Sequence, residues 1–187
     1  MENRMDLNFF KGNFTGWLQY EYSDPPELGF PIKDLRKYRL EYGSGPWSLK
    51  LGDIYEVWGR GLILAQLDDQ GIDFDNSSRG YLLNYKLENI SVTQMSGRTK
   101  NAQLGSDLRY PEFEFTHDMD ATNIEFDVYP FNFGLSFLQS NELHQLKPFG
   151  VMDTADVNHR LHGGYISWFG SIADLFVEYV DKQSKLR

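Results

Sequence analysis

Alternation with a period of two residues runs through most of this chain, and it restricts the fold more than any other feature. In a strand, successive side chains point to opposite faces. Phe131, Phe133, Leu135 and Phe137 therefore share one face, and Asn132, Gly134 and Ser136 share the other. Leu175, Val177 and Tyr179 stand opposite Asp174 and Glu178, and Tyr38, Leu40 and Tyr42 face away from Lys37, Arg39 and Glu41. From Trp47 to Val57 the residues Trp47, Leu49, Leu51, Tyr55 and Val57 oppose Ser48, Lys50, Gly52 and Glu56. Helical periodicity is nearly absent.

Reading each such stretch gives about ten strands, over 2–11, 14–22, 35–43, 47–58, 80–86, 90–98, 123–129, 131–140, 159–169 and 172–181. Tight connections at Gly12-Asn13, Ser44-Gly45-Pro46, Leu87-Glu88-Asn89, Pro130 and Gly170-Ser171 alternate with long polar segments. The long segments are 23–35, 60–79, 99–122 and 141–158. No repeat, linker or low-complexity tract divides the chain, so residues 1–187 read as one all-β domain, an antiparallel up-and-down meander.

Two architectures use such strands. A soluble sandwich or barrel turns its apolar face inward. A transmembrane barrel turns it outward to lipid and keeps a polar lumen. Three features favour the second. Short turns at one rim alternate with long loops at the other, as in outer-membrane barrels. Tyr20, Tyr22, Tyr42, Trp47, Tyr55, Trp58, Tyr129 and Phe131 fall near strand ends, where interfacial aromatics sit. The polar face carries Lys37, Arg39, Glu41, Lys50, Glu56, Asp127, Asp174 and Glu178, both signs intermixed as suits a wet lumen, although a soluble surface would look similar. Strand length also fits, since several strands reach the roughly nine to eleven residues needed to cross the hydrocarbon at a tilt. The expected partners are the lipid bilayer and other envelope components. A soluble β module that binds a glycan or other ligand stays open as the alternative, with the strand aromatics as its stacking platform.

Composition removes other classes. The 187 residues include no cysteine, which excludes disulfides, thiolate metal sites and cysteine nucleophiles. A net charge of -9 argues against nucleic acid as a partner. No run of about 18 apolar residues could form a membrane-spanning helix. The opening MENRMDLNFF lacks the continuous apolar stretch of a signal peptide. By strand count both ends would lie at the long-loop rim, so the chain is expected to be part of a longer barrel.

The segment from Gly52 to Leu62, GDIYEVWGRGL, and that from Asp73 to Gly80, DFDNSSRG, are more specific than any periodicity. With the opening Glu2-Asn3-Arg4-Met5-Asp6-Leu7 and Gly12-Asn13-Phe14, they resemble an uncharacterised family of Gram-negative outer-membrane β-barrel proteins, porin-like cylinders with no established activity. The resemblance is strongest over the first hundred residues. It implies an outer-membrane location and a longer parent, and it supplies no catalytic residues.

For a barrel, the alternation assigns Lys37, Arg39, Glu41, Lys50 and Glu56 to the lumen, with Arg60 and Arg79 at the loop end. Those two arginines bracket Asp68, Asp69, Asp73 and Asp75. They would either line an anion-selecting constriction or pin the loop by binding its carboxylates. Asp69, Asp73 and Asp75 are weak calcium candidates, because their spacing does not match an EF-hand loop. His117, Asp118 and Asp120, with Glu112, Glu114, His159 and His162, offer metal or acid–base groups but no recognisable frame such as HExxH or GxSxG. No catalytic role and no cofactor are expected. The expected function is porin-like passage of small solutes or a structural role in the envelope.

Overall fold

The computed structural model describes residues 2–24, 32–69, 74–103, 113–146 and 153–186. Ten long strands form one antiparallel sheet in a simple meander. They are β1 (Glu2–Lys11), β2 (Phe14–Ser23), β3 (Ile32–Ser44), β4 (Trp47–Ile54), β9 (Ser78–Lys86), β10 (Ile90–Gln103), β11 (Phe113–Val128), β12 (Phe131–Leu146), β13 (Asp153–Phe169) and β14 (Asp174–Leu186). Four two-residue strands lie between β4 and β9. β5 (Val57–Trp58) pairs with β6 (Leu64–Ala65), and β7 (Asp68–Asp69) pairs with β8 (Phe74–Asp75). The sheet is not closed: β1 and β14 are its edges. The described residues contain no helix, and none long and apolar enough to cross a membrane.

The meander and its five tight turns agree with the alternation. Most strands are longer than the alternation predicts, and one is shorter. The polar stretches 99–122 and 141–158 contain the ends of β10, β11, β12 and β13 rather than loops alone. Over 141–146 no clear alternation marks the strand, and over 113–121 an alternation of Phe113, Phe115, Met119 and Ala121 is broken by His117 and set against dense acids, so both stretches read as polar while the backbone ladder continues. The strand expected over 47–58 ends instead at Ile54. Gly52 adopts φ +107°, and a Cβ there would stand 2.2 Å from the Tyr38 carbonyl oxygen, so only glycine lets the chain bend away.

Burial runs opposite to that of a soluble sheet. The concave face buries polar groups: Gln19, Glu21, Lys37, Thr93, Asn123, Ser136 and Ser167. It also carries one apolar row, Leu82–Met95–Ala121–Leu138–Leu161, in register from β9 to β13. Trp58, Ile63 and Leu64, from the stretch that follows β4, pack on that row. The convex face exposes Leu51, Leu83, Phe133, Leu135, Phe137, Ile166, Leu175 and Val177.

On the convex face the apolar residues form a band. The row Trp47–Tyr85–Val92–Ile124–Leu135–Gly164–Tyr179 is apolar or aromatic throughout. A row farther from those turns reads Asp53–Arg79–Arg98–Asp118–Asn141–Asn158–Lys185, with every member polar. Beyond β4 the polar row is continued by Tyr38, whose N–H donates to Asp53, and then by its partners Leu18 and Leu7. The band thus climbs relative to the ladder from β14 toward β1.

Candidate functional site: the inward-folded segment

Over residues 55–69 and 74–77 the chain leaves the sheet and lies against its concave face. Two small hairpins shape it. In the first, Gly61 donates to the Trp58 carbonyl at 2.9 Å, and both Gly59 (φ +60°) and Gly61 (φ +92°) take the left-handed conformation of a tight tip. In the second, the Asn76 amide donates to the Ala65 carbonyl at 2.8 Å and accepts from the Leu67 N–H at 2.6 Å. Gln66, buried beneath both, donates to Ser78 Oγ at 2.6 Å, and Ser78 Oγ lies 2.9 Å from Thr99 Oγ1.

Opposite ends of the sheet hold this segment. On the β3 side Lys37 Nζ lies 2.7 Å from Asp68 Oδ2 and 2.8 Å from Asp75 Oδ2, and Tyr55 Oη donates to Asp75 at 3.2 Å. Lys37 is aimed inward by a bulge: Gln19 pairs with Lys37 but Tyr20 with Leu35, which leaves Arg36 as the extra residue. Arg36 and Arg4 then share Glu21, at 2.5 and 3.2 Å. Burial pushes the Asp75 carboxyl up, but Lys37 and the Ser77 N–H outweigh it and hold it below the ordinary carboxylate value. Burial likewise pushes the Tyr55 hydroxyl up, and it stays raised.

On the β14 side the Arg60 N–H donates to Glu178 Oε2 at 3.0 Å. The Arg60 guanidinium lies 4.4 Å from the centre of the Phe176 ring. A Cβ on Gly59 would meet Glu178 Oε1 at 2.6 Å, so the tip needs glycine there for space as well as for backbone angle. A segment that starts at the fourth strand of the sheet thus touches the tenth.

Most of the residues assigned to a lumen gather around this segment. Lys50 binds Glu56 at 2.9 Å, and Arg39 binds Glu41 at 2.7 Å. Arg60 and Arg79 serve different strands. Arg79 clamps Asp53 with two hydrogen bonds of 2.9 and 3.2 Å and donates to the Arg36 carbonyl. It stands at the rim, in the polar convex row beside Arg98. Neither arginine supplies the Lys37 bonds to Asp68 and Asp75. Trp58, expected near an interface, is 3% exposed in the concave core, and Tyr55 is also folded inward. The chain turns inward after Ile54, and that ends the alternation on which both assignments rested.

Of the histidine and acid candidates, His117 and His159 converge on Glu142, and the others lie apart. His159 Nε2 lies 3.0 Å and His117 Nδ1 3.7 Å from Glu142 Oε2, and His159 Nδ1 lies 2.8 Å from Ser184 Oγ. His162 is near Asp181 at 3.6 Å, and Asp118 is held by Arg98 at 2.5 Å. Asp120 occupies the convex row that contains Gln139. Glu112 and Asp73 lie outside the described residues, which contain no metal-binding group of three ligands. Sequence reasoning missed the Glu178 contact, because 118 residues separate it from Arg60 and neither residue is unusual in its own strand.

Residues 1–186 match a family of unknown function, DUF6029. The chain belongs to this family. No curated protein and no solved structure matches the chain. The match covers residues 1–186, whereas the resemblance was expected to be strongest over the first hundred, and it carries no statement of location or activity.

Proposed function

We propose that this chain forms part of the wall of an outer-membrane β-barrel and that residues 55–69 and 74–77 narrow a porin-like path for small solutes. The direction of burial carries the reading. Charged and hydroxyl groups crowd the concave side, while a band of Leu, Ile, Val and aromatic residues covers the convex side. In water that band would be an aggregation surface, and in lipid it is the required one. Its climb across the ladder supports the same reading, because tilted strands crossing a slab of fixed height shift register against it. The lumen would be lined by Lys37, Arg39, Glu41, Lys50 and Glu56. Arg60 would stand at the constriction, and Arg79 at the rim in its pair with Asp53.

The four tryptophans test this. Trp47 and Trp168 stand on the convex face, exposed, whereas Trp58 is buried on the concave side and Trp17 faces the concave cavity. In single-tryptophan variants of the full-length protein, brominated lipid should quench Trp47 and Trp168 strongly and the other two weakly. Equal quenching, or a monodisperse protein without detergent, would leave the soluble binding module as the correct reading.

A further inference from the structure

On the concave side of β1, Arg4 and Asp6 bond to Glu21 and Gln19, and Asn8 follows them on the same side. The next residue in this polar series is Phe10, which is 76% exposed. Neither the concave core nor the convex band accounts for it. Beside it, Trp17 stands opposite both Asn8 and Arg39, with the Arg39 guanidinium 5.9 Å from the Trp17 ring. Thr15 stands opposite both Phe10 and Glu41. Tyr55, Leu67 and Asp68 of the inward-folded segment flank this patch, and together they line an open groove of about 600 Å³.

The lining specifies a ligand. Three aromatic rings call for a flat apolar patch to stack on. Arg39, Glu41, Asn8 and Thr15 supply planar and hydroxyl hydrogen-bonding groups along one side, which call for several donors and acceptors in a row. The charges are already matched within the site, Arg39 with Glu41 at 2.7 Å and Asp68 with Lys37 at 2.7 Å, so the slot selects neither an anion nor a cation. A purely aromatic or aliphatic ligand would leave the polar side unsatisfied. A pyranose ring meets both demands, with C–H groups on its face and hydroxyls on its rim. We propose that this slot binds a sugar unit of a neutral oligosaccharide, making the solute class of the porin-like path a neutral glycan. The inference rests on the reading above for the ligand's route.

The test uses the full-length protein in detergent, titrated with maltotriose and with triacetylchitotriose, and with trigalacturonate and chitosan trimer as charged controls. Tryptophan fluorescence and calorimetry should show saturable binding of at least one neutral trisaccharide and weaker binding of both charged ones. Phe10→Ala, at an exposed site where folding is insensitive, should weaken binding about tenfold, and Trp17→Ala at least as much. No binding of either neutral sugar, equal binding of the charged ones, or unchanged affinity in Phe10→Ala overturns the proposal. Planar bilayers separate the two readings. Conducting channels that the sugar fails to block, together with absent calorimetric binding, sink the glycan site alone. Absent channels with intact sugar binding sink the porin-like path.

Discussion

The backbone N–H of Arg60 and the carboxylate of Glu178 meet at 3.0 Å, although 118 residues lie between them. One end of the inward-folded segment is thereby fixed to the last strand of the sheet, while Lys37 fixes the other end to the third. The segment acts as a strut across the concavity. Each of its contacts makes a separate prediction.

Removing the carboxylate should free the tip. In Glu178→Ala the amides of 57–64 should exchange with solvent about tenfold faster, the loss of one charge-assisted hydrogen bond near an exposed site. Glu178→Gln keeps an acceptor oxygen and should show a smaller effect. Hydrogen exchange read by mass spectrometry checks both, and identical protection in all three proteins would mean that the tip is held by packing alone.

Gly59→Ala should destabilise the chain by about 1–2 kcal/mol, since φ +60° is costly for any side chain and the new methyl meets Glu178. Urea unfolding in detergent reads this directly. Gly45→Ala has a similar φ of +57° but open space around it. It should cost less, and the difference isolates the contact with Glu178.

Lys37→Met leaves Asp68 and Asp75 facing each other without their shared cation and should cost about 2–3 kcal/mol. Full burial of both acids would make the loss larger. Adding Asp75→Asn to Lys37→Met should recover part of it. A double-mutant cycle on unfolding free energy measures the coupling, and additive losses would contradict the geometry described.

Asp75 also sets a pH dependence. Its carboxyl titrates below the unfolded value, so the folded state favours the ionised form. This stabilisation is complete above the ordinary aspartate range near pH 4, and it is lost as the pH falls through the lower folded value. Protection of the 74–78 amides should therefore be flat from neutrality down to about pH 5 and fall only below it. Asp75→Asn should flatten the acid limb, whereas a limb that persists in the variant would point to another carboxylate.

The convex band predicts a solvent-specific effect. Leu135→Arg places a charge among Phe133, Phe137, Ile124 and Gly164. In a bilayer this should cost about 2–4 kcal/mol of folding free energy if the site is near the midplane. On a water-exposed face it would be close to neutral. Folding titrations into lipid vesicles distinguish the two.

The sequence on its own determined the sheet. Turn residues such as Gly12-Asn13 and Gly45-Pro46, with apolar residues at every second position, fix both the hairpins and which side chains share a face, because those are local properties of an extended chain. Residues 131–137 could be assigned to faces without any structure. Strand ends could not: over 141–146 the ladder outlasts the alternation, and over 113–121 the alternation of Phe113, Phe115, Met119 and Ala121 is obscured by the acids set against it. The inward-folded segment was legible as the odd stretch, rich in glycine and acid, but not as a strut. Which carboxylate meets Lys37, why Arg79 serves Asp53 rather than the acidic loop, and how Gly59 comes to touch Glu178 all depend on how far ten strands curl. Curvature accumulates over the whole sheet, so it brings together residues that no local pattern relates.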